Sequence, residues 1–209
     1  MKILFGVRDD GDMTEPMNIM LLSALAKQFG HKTDLWVIER DDLADTIKRT
    51  RPDVVAFSCI TGSPRYYLDA AERVKNLRPE VQTVFGGPHF TFFPGEIMMN
   101  PQIDFVCVGE GDDAWPELLL ALENDGGKND VPNIITKENA GTGLEPPDEK
   151  TLERLGLAGG SIPYDRLSLS GKHMRPRRKN LDNLPFMDRG LIYNNTEFLN
   201  RYKRTLMAS

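Results

Sequence analysis

Cysteine is nearly absent from this chain, with two residues in 209, Cys59 and Cys107. Both sit inside apolar runs and read as buried thiols of a reducing compartment, which excludes a disulfide framework and offers no metal-ligand spacing. A cytoplasmic protein is the expectation. No apolar run approaches the ~18 residues that span a bilayer, and Met1-Lys2-Ile3-Leu4-Phe5 is too short a run for a signal peptide. No membrane span is therefore expected. No G-x-G-x-x-G follows the first apolar run, and G-x-x-x-x-G-K-[ST] occurs nowhere. Dinucleotide and P-loop nucleotide sites are set aside on that ground. Histidine is also scarce, with only three residues.

What is present is ordinary in amount and uneven in placement. Hydrophobic residues make up 40% and charged residues 27% of the chain, as in a typical globular protein. The net charge is −5. From Lys172 onward there are nine Lys/Arg against three Asp/Glu, a balance of +6, so the first 171 residues carry −11. An acidic body argues against nucleic-acid binding. The basic run Arg175-Pro176-Arg177-Arg178-Lys179 reads as a solvated segment or a docking surface.

The first 125 residues alternate apolar runs with helical patterns. Strands are expected at Lys2–Val7, Thr33–Ile38, Asp53–Cys59, Val81–Phe85 and Asp104–Val108. Between them lie helices: one beginning at Pro16 with Thr14 as cap and closed by Gly30, one after Asp41-Asp42, one opened by Ser63-Pro64, a short one over Gly95–Met99, and one from about Asp113 to Asn124. Ile19, Leu22, Ala26 and Phe29 form the buried stripe expected of the first helix, and Leu68, Ala71, Val74 and Leu77 that of the third. Strand–helix repetition of this kind predicts a flavodoxin-like, doubly wound parallel sheet of five strands in the order 2-1-3-4-5. Residues 126–195 lose the pattern among many glycines and prolines and read as an irregular connector. Thr196–Tyr202 reads as a helix, and Arg204–Ser209 as the start of a strand.

In a sheet of this type ligands bind outside the carboxyl ends of the strands. The loops Arg8–Thr14, Ser58–Ser63, Gly86–Phe90 and Gly109–Asp112 then form one candidate surface. Gly86-Gly87 either makes a tight strand-to-helix turn or lays bare backbone against a ligand. Ser58, Thr61 and Ser63 offer hydroxyls at a helix start, with Ser63 also placed to cap that helix. A phosphoacceptor receiver would suit Asp9-Asp10, but Ser58 stands where its aspartate is needed and the fifth strand ends without a lysine. A cofactor-free, receiver-like association module is the alternative reading.

Ser58-x-Ile60 and Gly86-Gly87 are similar to the S-x-L and G-G elements of cobalamin-binding domains. Gly86-Gly87-Pro88-His89-x-Thr91-Phe92-x-Pro94, together with Val108-Gly109-Glu110-Gly111, resembles the N-terminal domain of B12-dependent radical S-adenosylmethionine enzymes. Leu181-Asp182-x-Leu184-Pro185-Phe186-x-Asp188-Arg189 resembles the connector to their catalytic barrel, and Arg204–Ser209 its first strand (196–209 being the start of a truncated barrel). The resemblance covers nearly the whole chain except 139–175.

The resemblance implies a cobalamin site of Ser58, Ile60, Thr61, Gly86, Gly87, His89, Val108, Gly109 and Glu110. The two glycines would floor a slot for the nucleotide tail, Ser58 would hydrogen-bond it, and Ile60 and Val108 would wall it. Glu110 is either an acceptor for a ribose or amide group or a helix-start carboxylate; His89 either meets an amide or phosphate or caps its loop. Replacing either glycine by valine is expected to abolish binding and spare the fold. Cobalamin is expected base-off with no histidine ligand. The family's D-x-H-x-x-G fails in both registers here, with Asp12 and Glu15, or Gly11 and Thr14, at the histidine and glycine positions. His31 lies at the amino end of the sheet, and His173 in the connector. The 4Fe-4S cluster, its C-x-x-x-C-x-x-C motif and S-adenosylmethionine would belong to a downstream barrel, the expected partner. No catalytic or protein-metal residue is assigned, and this chain alone is expected to be inactive.

Overall fold

The computed structural model describes residues 1–9, 15–140, 175 and 178–194. The Thr14 cap, both registers of the first loop, His173, the 196–202 helix and the 204–209 strand lie outside the described residues. Six strands form one sheet: β1 (Lys2–Val7), β2 (Lys32–Val37), β3 (Val54–Ser58), β4 (Gln82–Gly86), β5 (Phe105–Cys107) and β6 (Ile134–Thr136). Their order is 2-1-3-4-5-6. The first five are parallel and the sixth runs antiparallel to β5. The fold is the flavodoxin-like α/β architecture, extended by one strand.

Strand alternation divides the core in two. Ile3, Phe5 and Val7 of β1 join Val54, Ala56 and Val84 beneath α1 (Met17–Gln28) and α6 (Ala114–Glu123). Leu4, Val55, Phe57 and Phe85 take the other face, under α2 (Leu43–Thr50), α3 (Pro64–Leu77), α4 (Pro88–Phe92) and α5 (Glu96–Met99). Both faces being covered, the strands read as continuous apolar runs. Asp42 caps α2, its carboxylate accepting from the Asp45 N–H at 2.9 Å. Ser63 stands at the N-cap of α3 with Pro64 behind it, but its side chain makes no capping bond to the helix. Pro16 is the residue before α1 and not its first turn. Gly30, at φ 82°, follows the end of α1 as expected.

Three further sequence expectations need correcting. Phe29 and Leu77 are exposed, because each lies at or beyond the last turn of a helix that outruns the sheet. Tyr67 and Ala70 take the place of Leu77 in the buried stripe of α3. Third, the stretch after Gly127 is not wholly irregular. β6 pairs Ile134 with Cys107 and Thr136 with Phe105, and α7 (Lys137–Ala140) follows it. Ile134 enters one core and Ile135 the other, so even three residues keep the period-2 pattern of a strand. β6 also covers what would be a bare sheet edge.

Residues 178–194 cross the α1/α6 face. α8 (Arg189–Tyr193) places Leu191 and Ile192 in the core beneath α1. The Asp188 N–H donates to the Met20 carbonyl at 3.0 Å. Its carboxylate accepts from Ser23 at 2.6 Å and pairs with Lys27 at 2.6 Å. Arg178 reaches Asp113 at 3.1 Å, and Arg175 pairs with Glu117. Arg175 and Arg178 of the basic run therefore lie on the acidic body.

Candidate cofactor slot at the strand ends

The carboxyl ends of β3, β4 and β5 are stitched to one another by their turns. The Cys59 N–H donates to the Gly86 carbonyl at 2.9 Å, and the Cys59 carbonyl accepts from the His89 N–H at 3.1 Å. Thr91 joins the next pair: its hydroxyl donates to the Gly87 carbonyl at 3.0 Å and accepts from the Gly109 N–H at 3.0 Å. Behind them, Asn133 accepts from the Val108 N–H at 2.8 Å and donates from its side chain to the Glu110 carbonyl at 3.2 Å. Thr91 and Asn133 were not among the expected site residues. Thr91 was legible only as part of a longer motif, and Asn133 had no sequence signal, since its role depends on β6.

The two glycines do different work. Gly86 ends β4 opposite Ser58. A Cβ added there would meet nothing closer than Cys107 Cβ at 3.6 Å, so the position has room beside bare backbone. Gly87 has φ 89° and ψ 178°, a region only glycine occupies comfortably. A Cβ on it would lie 2.6 Å from the Cys59 carbonyl oxygen and 2.8 Å from Ser58 Oγ. Gly87 is thus required by the turn itself. The expectation that valine spares the fold therefore fails at Gly87, while at Gly86 a Cβ finds only ordinary contacts.

Around Gly86 the structure brings together Ser58, whose hydroxyl accepts from Asn18 Nδ2 of α1 at 2.6 Å, and the half-buried Cys107. Leu22 and Gly111 close the same side, a Cβ on Gly111 coming within 3.3 Å of Leu22 Cδ2 and 3.8 Å of Cys107 Sγ. Ile60 is 59% exposed at the rim; Thr61, Gly109 and Glu110 are exposed there too, with Gly109 at φ 73°. Val108 is fully buried in the opposite core. His89 is buried as well, its Nε2 2.9 Å from Glu96 Oε1 and its ring against Phe90 and Phe93. These two support the turns from beneath, and the structure does not place them at the rim with Ile60.

The thiols near these turns are held in their neutral form. Burial, followed by the charges of Glu110 and Asp112, pushes the Cys107 thiol up to about 12. Burial and the Glu96 charge raise the Cys59 thiol well above its ordinary value. Both thiols are therefore neutral near pH 7 and poor nucleophiles. The Asp112 carboxyl is also raised, by burial and then by Glu110, with Arg178 pulling the other way. Open clefts of about 470 and 550 Å³ lie at the amino ends of the strands, lined by Lys2, His31 and Thr33 and by Asp53, Arg78 and Val81. Parallel sheets bind ligands at the other end, where the glycine turns are.

These strand ends thus offer bare backbone at Gly86, a hydroxyl at Ser58 and an exposed apolar side chain at Ile60. Comparison with known proteins identifies the family. The B12 binding domain family matches residues 5–119. An uncharacterized methyltransferase from Pyrococcus horikoshii is 36% identical over 107 residues, 51% of this chain and 23% of its own length. The cobalamin-dependent radical SAM methyltransferase TokK of Streptomyces tokunonensis is 34% identical over 116 residues, 54% of this chain and 17% of its own. The structure of TsrM, a radical S-adenosylmethionine methyltransferase from Kitasatospora setae, superposes with a TM-score of 0.57 at 15% identity, over 65% of this chain and 28% of that one, a likeness of fold. The chain thus spans about a fifth of the length of the curated relatives named here. The family match takes in more than half of the chain, from within β1 through β5, and the glycine turn; the chain belongs to the B12 binding domain family.

Proposed function

We propose that this chain is the cobalamin-holding part of a B12-dependent radical S-adenosylmethionine enzyme, and that the whole protein transfers methyl groups. The observation that carries the cofactor reading is Gly86, a strand-end residue of bare backbone where a Cβ would meet only Cys107, at 3.6 Å, with Ser58 opposite it. When bound, cobalamin supplies a cobalt centre that carries a methyl group. The chain's own residues hold and orient it. Gly86 floors the nucleotide tail and Ser58 donates to it. Ile60 covers it, while Thr61, Gly109 and Glu110 meet its polar edge. Gly87, His89 and Val108 keep the turns in shape. In this reading the cofactor binds base-off without a histidine ligand, since His31 lies at the amino end of β2 and His89 is engaged with Glu96. The radical chemistry, with its 4Fe-4S cluster and S-adenosylmethionine, is assigned to a partner barrel, as the similarity to TokK supports. The reading includes a cytoplasmic location and no nucleic-acid role, Arg178 and Arg175 being paired with Asp113 and Glu117.

Absorbance titration with hydroxocobalamin tests the first step, with saturable binding at one site per chain expected. Paramagnetic resonance of the cob(II)alamin-loaded protein tests the second. Nitrogen splitting that vanishes in His89→Ala would refute base-off binding without histidine. No binding at all would return the domain to the cofactor-free association module.

A further inference from the structure

The Ser58 hydroxyl carries one proton and can accept two. Asn18 Nδ2 donates to it at 2.6 Å, so one acceptor site is filled and the proton must go elsewhere. Among the described residues no protein acceptor takes that proton. Gly87, having no Cβ, leaves open the space 2.8 Å from that oxygen. Asn18 is exposed at the start of α1. The rest of α1 is pinned by the connector, through Asp188 on Met20, Ser23 and Lys27.

We infer that Asn18 is a positioning residue that fixes the Ser58 hydroxyl as a hydrogen-bond donor toward an acceptor atom of the bound nucleotide base. This rests on the cobalamin reading above. A base-off cofactor leaves a ring nitrogen of its benzimidazole free, and a free ring nitrogen is an acceptor. A serine free to rotate would offer that atom lone pairs as often as its proton. A serine already accepting from an amide presents the proton.

Asn18→Asp reverses the polarity with almost no change of shape, because a carboxylate takes the serine proton for itself and leaves only lone pairs for the ligand. Hydroxocobalamin affinity should fall about tenfold, the scale of one lost hydrogen bond. Cobinamide, which lacks the nucleotide tail, should bind as tightly to the variant as to the wild type. In a Ser58→Ala background Asn18→Asp should add less than about twofold, since the group it acts through is gone. An unchanged hydroxocobalamin affinity overturns the inference. So does an equal loss for cobinamide, or a tenfold penalty that persists without the serine, which would mark simple charge repulsion. If the wild type binds neither corrinoid, the cobalamin reading itself fails and takes this inference with it. If the wild type binds cobalamin and Asn18→Asp binds it equally, only the role of Asn18 falls.

Discussion

Replacing Gly87 and Gly86 one at a time by alanine should separate a fold requirement from a binding requirement. At Gly87 the backbone sits at φ 89°, ψ 178°, where a residue with a Cβ is strained by about 1–3 kcal/mol. The new methyl would also lie 2.6 Å from the Cys59 carbonyl oxygen, well inside contact distance, so α4 has to lift. Lifting it stretches the bonds from Cys59 N–H to Gly86 and from His89 N–H to Cys59, each worth about 1 kcal/mol. Together these make roughly 4 kcal/mol, a large share of the 5–15 kcal/mol of a typical domain. Thermal unfolding followed by circular dichroism should show the midpoint falling by about 12 °C. Gly86 lies in the strand, and its Cβ would make only an ordinary contact with Cys107 at 3.6 Å. Its alanine variant should melt within about 3 °C of the wild type yet bind hydroxocobalamin some ten- to a hundredfold more weakly, the cost of overfilling a fitted slot by one methyl. A Gly86→Ala protein with wild-type affinity would refute the backbone floor. A Gly87→Ala protein with a wild-type midpoint would refute the steric reasoning.

Two further outcomes follow from the connector and the sixth strand. Burial raises the Asp188 carboxyl, but the bonds from Lys27 and Ser23 and the Lys27 charge outweigh it, so its folded pKa lies below the ordinary 3.8. Its stabilisation is complete above that value and is lost as pH falls through the depressed folded pKa; in urea titrations Asp188→Asn should be less stable by about 2 kcal/mol at pH 7, with the difference shrinking below pH ~4. Ending the chain at Gly126 removes β6, the connector and the buried side chains of Val131, Ile134, Ile135, Leu191 and Ile192, worth about 1.5–3 kcal/mol each. That protein should be aggregation-prone or unfolded at 37 °C by light scattering, and a soluble, normally melting product would show that the five parallel strands suffice.

The parallel sheet was legible because strands covered on both faces must be apolar throughout, and Val54 to Ser58 or Lys2 to Val7 leave few alternatives. Their order is one of two common doubly wound arrangements, between which right-handed crossovers alone do not choose. β6 was not legible, since three residues among asparagines and glycines make too short a run, and its pairing is set by the exposed edge of β5. The same limit hid Asn133. The Gly86-Gly87 pair was visible as a feature and opaque in its parts: sequence cannot tell which glycine needs its φ and which needs its missing side chain. For His89 both roles stayed open until Glu96, seven residues on, was seen to hold its Nε2. Helix ends misled for a simpler reason, because periodicity continues past the point where Phe29 and Leu77 run out of sheet to cover.

Ser23 shows why the connector and the slot belong together. It is fully buried on a helix face otherwise filled by Ile19, Met20 and Ala26, where an unpaired hydroxyl would cost about 1–3 kcal/mol. Its partners are Thr33 of β2 at 2.7 Å and Asp188 of the connector at 2.6 Å. Leu191 and Ile192 then complete the same core. The segment that the similarity assigns to a link with another domain is thus anchored in the packing of α1. That helix also carries Asn18 to Ser58, so one rigid element touches both.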